Sequence, residues 1–192
     1  MKATLTFIYA LMAIFGMPAM LAAAPQVWTM DPVHSTAQFT ARHFGIVPVI
    51  GTIPMVAASV TLDSGSQIPI AVSATLDPSK LDTHDAMRDN DLRSPHFFDV
   101  ASTPEMRFVS TKIDGRDPKH FTITGNLTMH GQTHPVTLNA EVVAAGKTPR
   151  GRSIIAYAAT ATIDRTQWGM TFGPLIVGNS IDISLNAEAD AP

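Results

Sequence analysis

Asp91-Leu92-Arg93-Ser94-Pro95-His96-Phe97-Phe98-Asp99 is where the β rhythm of this chain stops. Apolar and polar residues mostly alternate from about Trp28 to Leu76, and they alternate again from Met106 to Ala189. A period of two marks strands with one apolar face. Between the two blocks come charge, a helix signal, a Ser-Pro restart and two adjacent phenylalanines. In an otherwise all-β chain such a segment has to plug, cap or grip something.

The interruption begins at Asp77-Pro78, and Leu81, Met87 and Leu92 fit no strand. Asp82 or Thr83 can cap a helix, and Asp85 suits its positive end. Asp85 and Asp89 stand three and four residues before Arg88 and Arg93, the spacing of surface ion pairs on a helix. Ser94 followed by Pro95 is a second cap with proline at the first helical position. These signals predict a helix over 84–92 and a short turn over 95–98, a helical insertion of about 84–98.

Outward from the insertion the strands follow one another. On the N-terminal side are Trp28 to Arg42 with a bend at Asp31-Pro32, a ribbon over 49–63 that Gly51 and Pro54 bend, and Ile68 to Leu76. On the C-terminal side are Glu105–Asp114, Phe121–His130, Pro135–Ala144, Ser153–Asp164 and Ile181–Ala189. Gly131-Gln132 is the turn candidate between His130 and His134. About eight antiparallel strands joined in sequence predict closure, because open edges invite aggregation. A barrel of that size holds side chains or one small ligand. Small residues on the strands, among them Ala74, Ala159 and Ala187, favour the hollow alternative, provided they face inward.

The first 24 residues are set apart. Lys2 precedes an apolar run from Leu5 to Leu21, and Ala22-Ala23-Ala24 offers a cleavage site before Pro25. This predicts a secretory signal peptide over 1–24, cleaved after Ala24, and a single domain over 25–192 in the periplasm. The alternative is an uncleaved membrane anchor. The chain has no cysteine, so neither disulfides nor acylation of a lipoprotein cysteine is available. A formal charge of −3 with no basic stripe argues against nucleic acid as a partner.

Catalytic patterns are absent from the sequence. No G-x-S-x-G elbow, phosphate loop or dinucleotide fingerprint occurs. His130 and His134 have a metal spacing only on a helix, so the expectation is a turn-flanking pair and no metal site. His43 beside Arg42 reads as a rim histidine. Phe97-Phe98 reads as core packing or as ligand contact, and in a hollow barrel the same ring does both.

Five segments in order resemble the YceI-like family: Asp31-Pro32-Val33-His34-Ser35, Arg42-His43-Phe44-Gly45, the run from Arg88 to Val100, Gly125 to Gly131, and Asp164 to Met170. The run from Arg88 to Val100 is the most specific. The resemblance implies an elongated, eight-stranded, lipocalin-like antiparallel barrel whose apolar tunnel holds a polyisoprenoid chain, as in isoprenoid quinones or polyprenyl phosphates. It implies an exported, non-catalytic binding protein without a cofactor, serving storage or transport. Implied tunnel residues are Phe39, Phe44, Met87, Leu92, Phe97, Phe98, Phe108, Met129 and Trp168, with Arg42 and His43 near a polar mouth. Ile53 and Met55 stand where the family often has aromatics, which bears on tunnel width. The rival readings are an envelope lipid hydrolase and an accessory partner of a membrane quinone or cytochrome system. A homodimer is compatible with each.

Overall fold

Pro54 divides what the alternation reads as one ribbon. In the computed structural model, which describes residues 23–192, β2 (Val47–Ile53) and β3 (Met55–Leu62) flank it. Both pair antiparallel with β1 (Gln26–His43), β2 along Ala37–His43 and β3 along Gln26–Thr29. Proline cannot donate to the ladder, so the break falls there. The remaining strands are β4 (Pro69–Leu76), β5 (Met106–Asp117), β6 (His120–Met129), β7 (Gln132–Lys147), β8 (Ser153–Asp164) and β9 (Ser180–Asp190). Each pairs antiparallel with its neighbour, and β9 returns to β1 through Thr29–Asp31 and Thr36–Thr40. Nine strands among the described residues thus occupy eight positions in one closed antiparallel barrel. The bend expected at Asp31-Pro32 is a register shift between Asp31 and Thr36.

The β6–β7 turn is His130-Gly131, one residue earlier than predicted. Met129 pairs with Gln132, and the two turn residues have φ of 48° and 71°. A two-residue hairpin turn of this hand needs positive φ at both positions, and Gln132 already belongs to the ladder.

The ends of the barrel differ. At one end the chain turns tightly at 63–68, 118–119 and 148–152. There Leu62, Phe121, Val142, Ile155 and Ala189 are buried together and fill the interior. At the other end lie the β1–β2 turn, the β6–β7 turn, the insertion between β4 and β5, and the β8–β9 connection. A 3-10 turn over Pro78–Lys80 and α1 (Ala86–Arg93) make up the regular part of the insertion.

The insertion is tied down differently from the sequence expectation. Asp85 caps α1, its carboxylate accepting from Arg88 N at 2.9 Å. Asp82 and Thr83 precede the helix, which starts at Ala86 and not at His84. The arginines are not paired with Asp85 and Asp89. Arg88 Nε donates to Thr83 Oγ1 at 2.8 Å, while Arg93 donates to Ser79 O at 2.7 Å and to Leu81 O at 2.9 Å. A guanidinium fork suits diverging backbone carbonyls as well as carboxylates. Both arginines therefore lace α1 to segment 78–83. The expected leader over 1–24 lies outside the described residues except for Ala23 and Ala24.

Candidate functional site

The inward faces of the strands do not meet in the middle. They leave a cavity with about 1530 Å³ of space, open solvent at its edge included. In the half nearer the tight turns its wall includes Met30, Val60, Pro69, Tyr157 and Ala187. Nearer the insertion it includes Ala41, Phe97, Phe98, Met170, Val177 and Ile181. Ala37, Ala74, Ala140, Ala159 and Ala187 all line it, and this is why it is hollow. Larger side chains at those inward positions would fill the lumen to the usual density of a protein interior. Ala158, next to Ala159 on β8, does not line the cavity, as the alternation of the pleat requires.

The wall is almost wholly apolar, and its two buried polar side chains are committed elsewhere. Tyr157 Oη donates to Gln67 O at 2.8 Å, and burial raises its pKa above that of an ordinary phenol. Arg165 is 3% exposed, yet each of its three nitrogens has an oxygen partner. Nε donates to Gly178 O at 3.0 Å, Nη1 to Met170 O at 2.6 Å, and Nη2 to Val177 O at 2.9 Å and to Asn179 Oδ1. Burial lowers its pKa from that of an ordinary guanidinium. The guanidinium also lies 5.8 Å from the centre of the Phe97 ring. The cation thus binds the β8–β9 connection into a closed loop and leaves an oily chamber beneath it.

Two glycines admit rings to the wall. Gly51 faces Phe39 across the β1–β2 ladder, and a Cβ on it would run into the Phe39 ring at Cζ and stand 2.6 Å from its Cε1 and 2.7 Å from Thr83 Cγ2. A Cβ on Gly125 would run into the Phe108 ring at Cζ and stand 2.7 Å from its Cε2 and 2.6 Å from Val109 O. Phe39 and Phe108 lie flat where a side chain would otherwise be.

Six of the residues expected at a ligand line this cavity: Phe39, Leu92, Phe97, Phe98, Phe108 and Met129. The other five do not. Met87 is on the outer side of α1 and 84% exposed. Trp168 is 1% exposed and packs behind the wall, its Nε1 donating to Leu127 O at 3.0 Å. His130 Nδ1 holds Trp168 O at 2.8 Å and His134 meets the indole edge-on, so the two histidines serve the tryptophan. Arg42, His43 and Phe44 are exposed at the end of β1, with the His43 and Phe44 rings 4.2 Å apart. Val60, Val72, Leu138, Ile183 and Leu185 also line the cavity and were not singled out. Their positions on the inward phase of each strand were the available signal.

Asp31, His34 and Glu188 form the one cluster of candidate metal ligands found among the described residues. Asp31 is occupied there by Val33 N and by the His34 ring at 3.0 Å.

Known proteins share this architecture. A UPF0312 protein of Enterobacter sp. is 32% identical over 157 residues, covering 81% of this chain and 80% of that protein. The crystal structure of Burkholderia cenocepacia BcnA matches with a TM-score of 0.73 at 22% identity, covering 83% of this chain and 99% of that one. A polyisoprenoid binding domain from Saccharophagus degradans matches with a TM-score of 0.61 at 12% identity, covering 87% and 99%. Residues 28–189, nearly all of the described barrel, match the YceI-like domain, and the chain belongs to that family.

Proposed function

We propose that this protein binds a polyisoprenoid lipid in the barrel cavity and carries or stores it in the periplasm after losing its leader. The observation that supports this reading most is the wall itself. It is long, apolar and without an uncommitted charge. An isoprene chain has no hydrogen-bonding group, so each unit moved from water into such a wall gains about 25 cal/mol per Å² of apolar area buried. A twelve-residue strand such as β8 spans about 40 Å along its own axis, and about 30 Å along a barrel with strands tilted by about 40°. That length shelters several isoprene units of an extended chain. The polyisoprenoid binding domain of Saccharophagus degradans shares the fold and supports the same ligand class here.

The chamber suits the chain more than the head group. Arg165 is the charged residue of the wall, and the backbone has claimed its nitrogens. A polyprenyl phosphate inside would bring a charge without a partner, which is costly away from water. A neutral isoprenoid quinone fits better, with its ring toward the edge of the cavity, and a membrane quinone or cytochrome protein is the corresponding onward partner. Binding and release need no covalent step, so the activity is that of a carrier and not of an enzyme. Organic extraction of the purified protein followed by mass spectrometry tests this. The expected result is one prenyl lipid at near-stoichiometric amount. Its absence, even after incubation with a prenyl lipid in detergent, would overturn the proposal.

A further inference from the structure

Phe44, Ile46, Val47, Leu175 and Ile176 form one exposed apolar tip at the insertion end of the barrel. The β1–β2 turn and the first residue of β2 supply the first three and the β8–β9 connection the last two. The two loops are fastened together. Phe44 N donates to Ile176 O at 2.8 Å, Gly178 N donates to Arg42 O at 2.9 Å, and His43 bridges to Val177. Leu175 is 87% exposed and Ile46 76%.

The turn that presents Phe44 is an unfavourable place for it. Phe44 has φ of 51° and Gly45 of 72°, and Ile46 N closes the turn on His43 O at 3.0 Å. Asparagine or glycine adopts such a position at lower cost than an aromatic residue. Backbone strain of this kind clusters at binding and switch segments, although His130 also adopts it in the β6–β7 hairpin. The same loops edge the cavity, because Ala41 and Val177 line it while Phe44 and Ile176 face outward. The stretches 42–50 and 169–179 contain no carboxylate, and Arg42 is their one formal charge.

We propose that this tip docks on a lipid bilayer and sets the edge of the cavity at the headgroup layer. The inference rests on the reading of the cavity as a polyisoprenoid site. Apolar side chains on a rigid tip enter the boundary between headgroups and acyl chains, and a flanking arginine meets lipid phosphate. A chain then passes between membrane and barrel without crossing water. A second copy meeting the tip with its own tip would bring no carboxylate to Arg42, whereas a bilayer brings lipid phosphate.

The test is flotation of the ligand-free protein with vesicles of phosphatidylcholine, alone or mixed with phosphatidylglycerol. The intact protein is expected to float with both, and more with the anionic mixture. The double variant Ile46→Glu/Leu175→Glu is expected to partition at least about tenfold less, since it puts charges where two exposed apolar side chains would enter the bilayer. Both proteins are expected to load geranylgeraniol equally from detergent micelles. Equal flotation of the variant and the intact protein would overturn the proposal. So would a failure of the intact protein to float while it loads from micelles, or a solution dimer that the variant splits without any vesicle binding. Failure to load in either protein would instead overturn the reading of the cavity.

Discussion

Asp89 Oδ1 accepts two hydrogen bonds from Thr83, from the backbone N at 2.9 Å and from the hydroxyl at 2.6 Å. Both residues are buried, Asp89 to 7% and Thr83 to 3% exposure. The Thr83 hydroxyl in turn accepts from Arg88 Nε at 2.8 Å. A carboxylate and a guanidinium are thus joined through a hydroxyl, and the helix is locked to segment 78–83 at the insertion end of the barrel. Asp89→Ala leaves the Thr83 donors without a partner. Hydrogen bonds to charged groups contribute about 1.5–3 kcal/mol each, so losing both is expected to cost about 3–6 kcal/mol by urea unfolding. Asp89→Asn keeps an acceptor and is expected to lose less. Equal losses for the two variants would show that the carboxylate charge alone matters.

Gly51→Ala is expected to push Phe39 into the lumen. The new methyl group would come within 2.6 Å of the ring and 2.7 Å of Thr83 Cγ2. Both neighbours are side chains, so the protein is expected to fold, with overpacking costing about 1–3 kcal/mol. The narrowed cavity should take up less prenyl lipid from micelles. Unchanged uptake and unchanged stability would mean that the ring has another place to go.

The strands were legible because one-sided burial writes a period of two into the sequence. Ser153–Asp164 shows this most clearly, with Ala159 inside and Ala158 not. The insertion was legible from Leu81, Met87 and Leu92, which fit no strand. Its anchoring was not, since Arg88 and Arg93 hold carbonyl and hydroxyl groups in 79–83 and, for Arg93, the Asn90 amide oxygen, and charge spacing on a helix shows local carboxylates alone. Met87 looked like a wall residue because it is apolar. With the helix starting at Ala86, Met87 lies on the side away from Asp89 and Leu92, and it faces water. Trp168 and Phe44 were misplaced for one shared reason: where a loop carries its side chains depends on 3-10 and left-handed backbone that periodicity does not report.

Ala159→Phe tests whether the lumen is the binding site. Ala159 lines the middle of β8, and phenylalanine there projects into empty space. The extra ring buries apolar area where no packing contact exists, so folding stability is expected to hold or rise. Co-purifying or loaded prenyl lipid is expected to fall roughly tenfold or more, read by mass spectrometry of the extract. Full retention of lipid would place the ligand outside the barrel.

Arg165→Met removes the group that gathers Met170 O, Val177 O and Gly178 O. Three carbonyls in a half-closed loop lose their donor, at about 1–3 kcal/mol for each that stays dry. The expected outcome is a loss of at least about 3 kcal/mol together with faster amide exchange across 169–179. Arg165→Lys is expected to rescue little, because one ammonium cannot span the carbonyls that a planar fork reaches. A lysine variant as stable as the parent would show that charge and not geometry holds the loop.

Asp164 contributes to the acid limb of stability. It caps the 3-10 turn over Arg165–Trp168, accepting from Thr166 N at 2.9 Å and Thr166 Oγ1 at 2.6 Å. These bonds, with the Thr166 hydroxyl foremost, hold its pKa below the ordinary 3.8. Asp77 is lowered likewise at the start of Pro78–Lys80, chiefly by the Ser79 hydroxyl. A carboxyl with a lowered folded pKa binds its proton more weakly in the native state than in the unfolded one. Its contribution is therefore complete above pH 3.8 and is lost as the pH falls from there through the folded value. The melting temperature is expected to drop across that window and to be insensitive to these two groups between about pH 5 and 8. Asp164→Asn keeps a capping oxygen but cannot titrate. Its melting temperature should lie below that of the parent at neutral pH, and the gap should close as the pH falls. A gap that stayed constant down to low pH would show that the Asp164 carboxylate is not what acid removes.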